Sequence, residues 1–209
     1  VNVAGLTLAD DGTVEGEAQT MPTGPYNQYL SASNTGPIID QAALSTILND
    51  TTAQTAQIEA LVAAAAAGNY AGVNLDYQEV SKSDREAFTQ FVKSLAEALD
   101  QQDKELSLTL ATPDLVGESW DSAGQDWAAL GQIADTVFVQ MLQDPAAFAE
   151  DGAANDLMAW AVRQIPRDKL IMLLTANAVN RVGEFYQEMP NSEALANFGA
   201  LEFLKGADE

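Results

Sequence analysis

Residues 70–80 read YAGVNLDYQEV. In an extended segment alternate side chains share a face, so Val73, Leu75 and Tyr77 point one way and Asn74, Asp76 and Gln78 the other. The apolar set suits a layer of helices. The polar set needs hydrogen-bond partners, because burying a carboxylate or an amide without them is costly. The interior of a β/α barrel offers such a place: outward residues meet helices, and inward ones run toward the C-terminal mouth where barrel active sites are built. Gln78 is then nearest the mouth, and Glu79, one place out of step, points to the opposite face while the strand persists.

The rest of the chain alternates in the same manner. Strand-like runs occur at 1–8, 26–33, 72–78, 106–112, 136–142 and 169–176, the last apolar throughout. Helical runs lie between them at 39–50, 51–68, about 83–100, 125–135 and 154–165. Ser83 and Glu86 read as a capping box, and Thr51 and Gly68 as caps of their helix. Near-continuously apolar strands alternating with helices predict a parallel sheet covered by helices. There is no G-x-G-x-x-G and no G-x-x-x-x-G-K-[ST], so nothing marks a nucleotide-binding sheet. The fold class expected is α/β, a (β/α)8-barrel-like domain with about six units present, since a full barrel takes about 250 residues. Residues 1–180 form the barrel portion, and 181–209 its end or the lead into a further domain. Asp10-Asp11-Gly12 reads as a turn, and residues after 190 as a helical turn and a last strand.

Composition removes several chemistries. Of 209 residues none is Cys or His, so there is no disulfide, no thiolate nucleophile, no Ser-His-Asp triad and no His- or Cys-ligated metal. Acid–base work falls to carboxylates, Tyr or Lys. Nine Lys plus Arg against thirty-one Asp plus Glu give a net charge of -22, which disfavours nucleic acid and anionic membrane surfaces as partners. No D-x-[DN]-x-[DN]-G calcium loop and no run of eighteen apolar residues occurs. No cofactor, metal or membrane insertion is expected. The chain begins at Val1 without a basic-then-apolar leader, which reads as a segment of a longer protein.

The stretch AGVNLDYQ resembles the signature strand of glycoside hydrolase family 18, the chitinase-like barrels, written D-G-x-D-x-D-x-E. Gly72, Val73, Leu75, Asp76 and the aromatic Tyr77 match, while Ala71, Asn74 and Gln78 replace the first Asp, the second Asp and the Glu. KSDREAFTQFVKSLAEAL followed by LSLTLATP resembles the next helix and strand of spore-cortex-lytic-like members. DWAALGQIADTVFVQMLQD resembles the later strand ending in Met-x-Tyr-Asp, with Met141 and Asp144 matching and Gln143 at the tyrosine place. IPRDKLIMLLTA and VNVAGLTLADDGTV resemble a following and an early strand, so the likeness runs over about residues 1–180 in the right order.

The resemblance implies a barrel whose first strand and last unit lie outside this chain. It also implies a mechanism: the motif Glu protonates the glycosidic oxygen, the sugar's own N-acetyl group attacks the anomeric carbon, and the Asp two places earlier orients that group, an exception to the two-carboxylate scheme. Asp76 fits the orienting role. Gln78 cannot act as the acid, because a carboxamide has no titratable proton near neutral pH.

The residues therefore predict a degenerate motif at Ala71, Asn74, Asp76 and Gln78, with no confident catalytic residue. Ligand-binding candidates are Asp76, Gln78, Asn74, Met141, Gln143, Asp144 and Trp120. Glu79, Asp114 and Asp144 are the nearby carboxylates that could substitute as acid. Asn34, Thr112, Thr175 and Asn177 stand at other strand ends, where ordinary loop and cap chemistry is the plainer reading. Trp120 sits in a loop expected at the mouth, either to stack on a sugar or to cover a core edge. Trp127 and Trp160 read as core, and Tyr26 and Tyr29 as packing. Three functions stay open: a non-catalytic carbohydrate-binding or structural module (a pseudoenzyme) of a larger extracellular or cell-surface protein, with N-acetylglucosamine-containing glycans and other domains of the parent chain as partners; an active hydrolase of chitin or peptidoglycan with an unrecognised acid; and an assembly domain that binds no sugar.

Overall fold

A computed structural model describes residues 1–9, 13–17, 19, 24–35, 39–175, 177–183 and 185–199. The turn expected at 10–12 and the last strand expected after 200 lie outside the described residues. In chain order the elements are β1 (Asn2–Leu8), β2 (Val14–Glu15), β3 (Tyr29–Ser33), α1 (Gln41–Leu48), α2 (Thr51–Ala67), β4 (Gly72–Asp76), α3 (Arg85–Asp100), β5 (Glu105–Leu110), β6 (Asp114–Val116), β7 (Ser119–Asp121), α4 (Trp127–Ile133), β8 (Thr136–Gln140), α5 (Ala153–Gln164), β9 (Leu170–Leu173), β10 (Ala178–Val182), β11 (Phe185–Met189) and α6 (Asn191–Phe198).

Six parallel strands, β1, β3, β4, β5, β8 and β9, lie side by side in sequence order, with β2 antiparallel on the outer edge of β1. This is the strand order of a β/α barrel. Among the described residues the sheet does not close: β2 and β9 are its two edges.

Each strand sends one face into the helices. Leu30, Ala32, Val73, Leu75, Tyr77, Leu106, Leu108, Leu110, Val137 and Val139 are buried there, against Phe88, Phe91, Val92, Leu95 and Leu99 of α3 and the core faces of α1, α2 and α4. Tyr77 stacks on Phe91 with ring centroids 6.3 Å apart, and Trp127 packs on Trp160 at 4.8 Å. Gly72 has a steric reason: a Cβ there would stand 1.9 Å from the Glu105 carbonyl oxygen of the neighbouring strand.

Three helices start on an aspartate whose side chain accepts backbone N–H bonds: Asp40 for α1, Asp50 for α2 and Asp126 for α4. Asp50, not Thr51, thus caps α2. The capping box expected at Ser83 and Glu86 does not form. Residues Lys82–Asp84 make a 3₁₀ turn instead, and α3 begins at Arg85. Ser81 Oγ lies 2.8 Å from both Ser83 Oγ and Asp84 Oδ2, so the hydroxyl that would cap is already engaged.

The strand at 170–173 is apolar, yet Ile171 and Leu173 are 44% and 37% exposed. Their side of β9 belongs to the inner face of an open edge strand. Beyond it the chain forms a hairpin, β10 paired with β11, so the boundary expected at 180 falls inside β10.

Candidate functional site

The inner face of the sheet is polar where the outer face is apolar. In register with Asn74 stand Ser31 of β3 and Ser107 of β5, and in register with Asp76 stands Ser33. Asn74 is 2% exposed and fully engaged: its Nδ2 lies 3.2 Å from both Ser31 Oγ and Thr109 Oγ1, and its Oδ1 accepts from Ser107 Oγ at 3.0 Å. Lower on the same face the Tyr29 hydroxyl donates to the Glu105 carboxylate. The Asn74 amide is therefore a hub for three hydroxyls.

Toward the mouth the chain leaves the strand after Asp76. Three amide side chains from elsewhere in the chain hold the departing backbone. Asn34 clasps Gln78 twice, donating to its carbonyl at 2.9 Å and accepting from its N–H at 2.8 Å. Gln125 donates to the Tyr77 carbonyl at 2.9 Å while accepting from Ala111 N–H at 3.0 Å. Gln41 donates to the Glu79 carbonyl at 2.8 Å. Glu79 takes φ +52°, a left-handed conformation unusual outside glycine.

That bend corrects the expectation for Glu79. Alternation persists through Tyr77, packed outward on Phe91, and Gln78, turned inward to Asp76, and the positive φ at Glu79 breaks it, so Glu79 is not sent to the helix face. It is exposed, and with Gln78, Thr112 and Asp114 it lines a recess of about 380 Å³.

The Gln78 side chain is 8% exposed. Its Nε2 donates to Asp76 Oδ1 and to the Thr109 carbonyl at 3.2 Å. Among the described residues this amide is the hydrogen-bond donor to Asp76. Burial pushes the Asp76 carboxyl above its ordinary range, and the Gln78 hydrogen bond opposes the shift only in part. The other side of Asp76 opens on a recess of about 440 Å³ with Thr7, Ser31, Ser33 and Glu17. Glu17 comes from a loop whose sequence carries no motif, so the reading of the chain missed it.

A third recess, about 770 Å³, lies past the ends of β5, β8 and β9 and brings Met141, Gln143 and Asp144 together with Thr112 and Thr175. Tyr186 and Glu188 of β11 complete it. Both fall where the sequence pattern fades, although their spacing of two in FYQEM carries a strand signal. Asn177 stands beside it, with Nδ2 3.2 Å from Glu188 Oε2.

Two candidates lie apart from these recesses. Ala71 is at the base of β4, where its backbone bonds Gln28 and Glu105. Trp120 is not over the mouth. The segment after β5 folds into the β6–β7 hairpin, which sets Trp120 in a groove with Trp160 and Arg163 of α5, against the core edge.

Residues 36–181 match the family described as Glycosyl hydrolases family 18. The chain belongs to that family. It is 25% identical over 134 residues to the cortical fragment-lytic enzyme of Bacillus subtilis, covering 60% of this chain and 31% of that protein. The spore cortex-lytic enzyme SleL of Bacillus megaterium superposes with a TM-score of 0.75 at 19% identity, over 95% of this chain and 50% of that one. A class V chitinase of Pseudomonas fluorescens superposes at 0.66 with 24% identity, over 80% and 58%. These structures support the barrel-type fold. The family 18 chain spans 40% or less of the curated relatives of Bacillus subtilis that it matches.

Proposed function

We propose that this family 18 chain is a glycan-binding module without hydrolytic activity, acting within a larger extracellular protein on N-acetylglucosamine-containing polymers. One observation carries the reading. The place that the resemblance gives to the proton donor is Gln78, whose amide gives its hydrogens to Asp76 and the Thr109 carbonyl and has no proton to transfer. Asp76, the group that would orient the N-acetyl substituent, keeps its place beside an open recess. A carboxylate next to a polar pocket can accept from a sugar amide or hydroxyl whether or not the bond is cleaved.

Calorimetry with N-acetylglucosamine oligomers, run beside a reducing-end assay, tests this. Binding with no turnover is expected, and Asp76→Ala should abolish binding. Hydrolysis that survives both Asp76→Ala and Gln78→Ala would sink it. An empty glycan array together with stable self-association would replace it by an assembly role.

A second reading has a specific observation behind it. Glu79 and Asp114 line the recess beside Gln78, and Glu17 lines that beside Asp76, so carboxylates do reach the mouth. An active enzyme using one of them would show a bell-shaped pH–rate profile that collapses on that residue's amide variant.

A further inference from the structure

The strand end Met141-Leu142-Gln143-Asp144 lacks the tyrosine that the family pattern sets before the Asp. An amide at 143 does not supply the lost phenol, which combines a flat apolar face with a hydroxyl. The β10–β11 hairpin returns one to the same carboxylate. Tyr186 and Glu188 alternate with Gln187, so they share one face of β11, and both line the recess that holds Gln143 and Asp144. The Tyr186 phenol shares this recess with Asp144, and that carboxylate, ahead of desolvation, raises the phenol above its ordinary value.

The ring is fixed from the hairpin side as well. Arg181, its cross-strand partner, places its guanidinium 5.9 Å from the ring centroid, and its Nε donates to the Gly183 carbonyl at 3.0 Å. Gln143 no longer serves the carboxylate beside it. Its Nε2 instead reaches Glu188 Oε1 at 3.4 Å and so ties the hairpin to the strand end.

We propose that Tyr186 is the ligand-positioning tyrosine of this recess, supplying from the hairpin, beside Asp144, the phenol that the strand end lacks. The inference rests on the glycan-binding reading above. The recess fits a neutral N-acetylated pyranose. Met141 and Leu173 offer apolar surface to the C–H face of a ring, and Asp144 and Glu188 accept from its hydroxyls. The same two carboxylates disfavour an acid-bearing sugar.

The test is calorimetry with an N-acetylglucosamine tetramer on the wild type, Tyr186→Phe, and Tyr186→Phe combined with Gln143→Tyr. Removing the hydroxyl should weaken binding about tenfold, since hydrogen bonds to charged groups are of that strength. Restoring a phenol at 143 should recover most of the loss, which a packing role for Tyr186 would not produce. Asp144→Asn serves as a second variant, with a similar loss expected. Unchanged affinity in Tyr186→Phe, or a loss that Gln143→Tyr does not recover, overturns the proposal and leaves the carbohydrate reading standing. No binding by the wild type overturns both.

Discussion

Gln78→Glu puts a carboxyl at the position proposed above to be the family's acid, and the surroundings of Gln78 say what that carboxyl would do. Its amide nitrogen now faces two acceptors, Asp76 Oδ1 and the Thr109 carbonyl at 3.2 Å. An oxygen put in that place meets both lone pairs unless it carries a hydrogen. With Asp76 ionised, a second carboxylate about 3 Å away would be opposed by about 5 kcal/mol at an effective dielectric near 20. The site is also nearly closed to water, with Gln78 at 8% exposure. Both effects keep one proton on the pair at neutral pH, and a retained proton is what a general acid must offer. The variant should therefore gain hydrolysis of a chromogenic N-acetylglucosamine oligomer by about 10²–10⁴ over wild type, the range typical of general acid catalysis. Its pH–rate profile should be bell-shaped, and Asp76→Ala in the same background should remove the gain. A folded Gln78→Glu variant that still binds the oligomer and shows no gain would refute the assignment of position 78.

Asp76→Asn should raise stability at pH 7 while destroying glycan binding, because burial makes the charged carboxylate unfavourable there. With the folded-state pKa raised, the folded protein holds the proton more tightly, so wild type gains stability as pH falls, and the gain is complete below about 3.9. Denaturant titrations should show the variant's advantage shrinking along that window; an advantage independent of pH would contradict it. Asn34→Ala should cost about 3 kcal/mol in urea unfolding, since it leaves the buried N–H and carbonyl of Gln78 without partners. A loss under about 1 kcal/mol would mean that the clasp is dispensable. At a net charge of -22, raising NaCl from 0.1 to 1 M shortens the screening length from about 10 to about 3 Å and should raise Tm by several degrees. A flat or falling Tm would show that self-repulsion is not what limits stability.

Local pattern carried the architecture. Period-two alternation at 72–76 placed Asn74 and Asp76 on the inner face, and helical spacing of Phe88, Phe91, Val92, Leu95 and Leu99 placed α3 against the outer face. What the pattern could not carry is set by groups far away in sequence. Glu79 leaves the strand because Asn34, Gln41 and Gln125, from three distant parts of the chain, hold the carbonyls around it. No run of residues near Glu79 announces a positive φ. Ser83 lost its cap for a similar reason: Asp84 is drawn into bonds with Ser81 and with Asn49 at the end of α1. Tyr186 enters the recess of Asp144 only through hairpin pairing across a turn at Gly183.

The two polar side chains of β4 differ in how well the protein satisfies them, and that difference bears on function. Asn74 is nearly closed to solvent and bonded on both ends of its amide by Ser31, Ser107 and Thr109. It needs nothing from outside to explain its place. Asp76 is held by one amide, is shifted upward by burial, and faces a recess rather than packed protein. A residue kept only to fill the barrel interior could be an asparagine at lower free energy, as its neighbour two places earlier already is. The carboxylate at 76 costs stability where the amide at 74 does not. Such a cost is characteristic of sites that still meet a ligand. If Asp76→Asn proves no more stable at neutral pH, this distinction fails, and the two side chains become equivalent parts of one structural network.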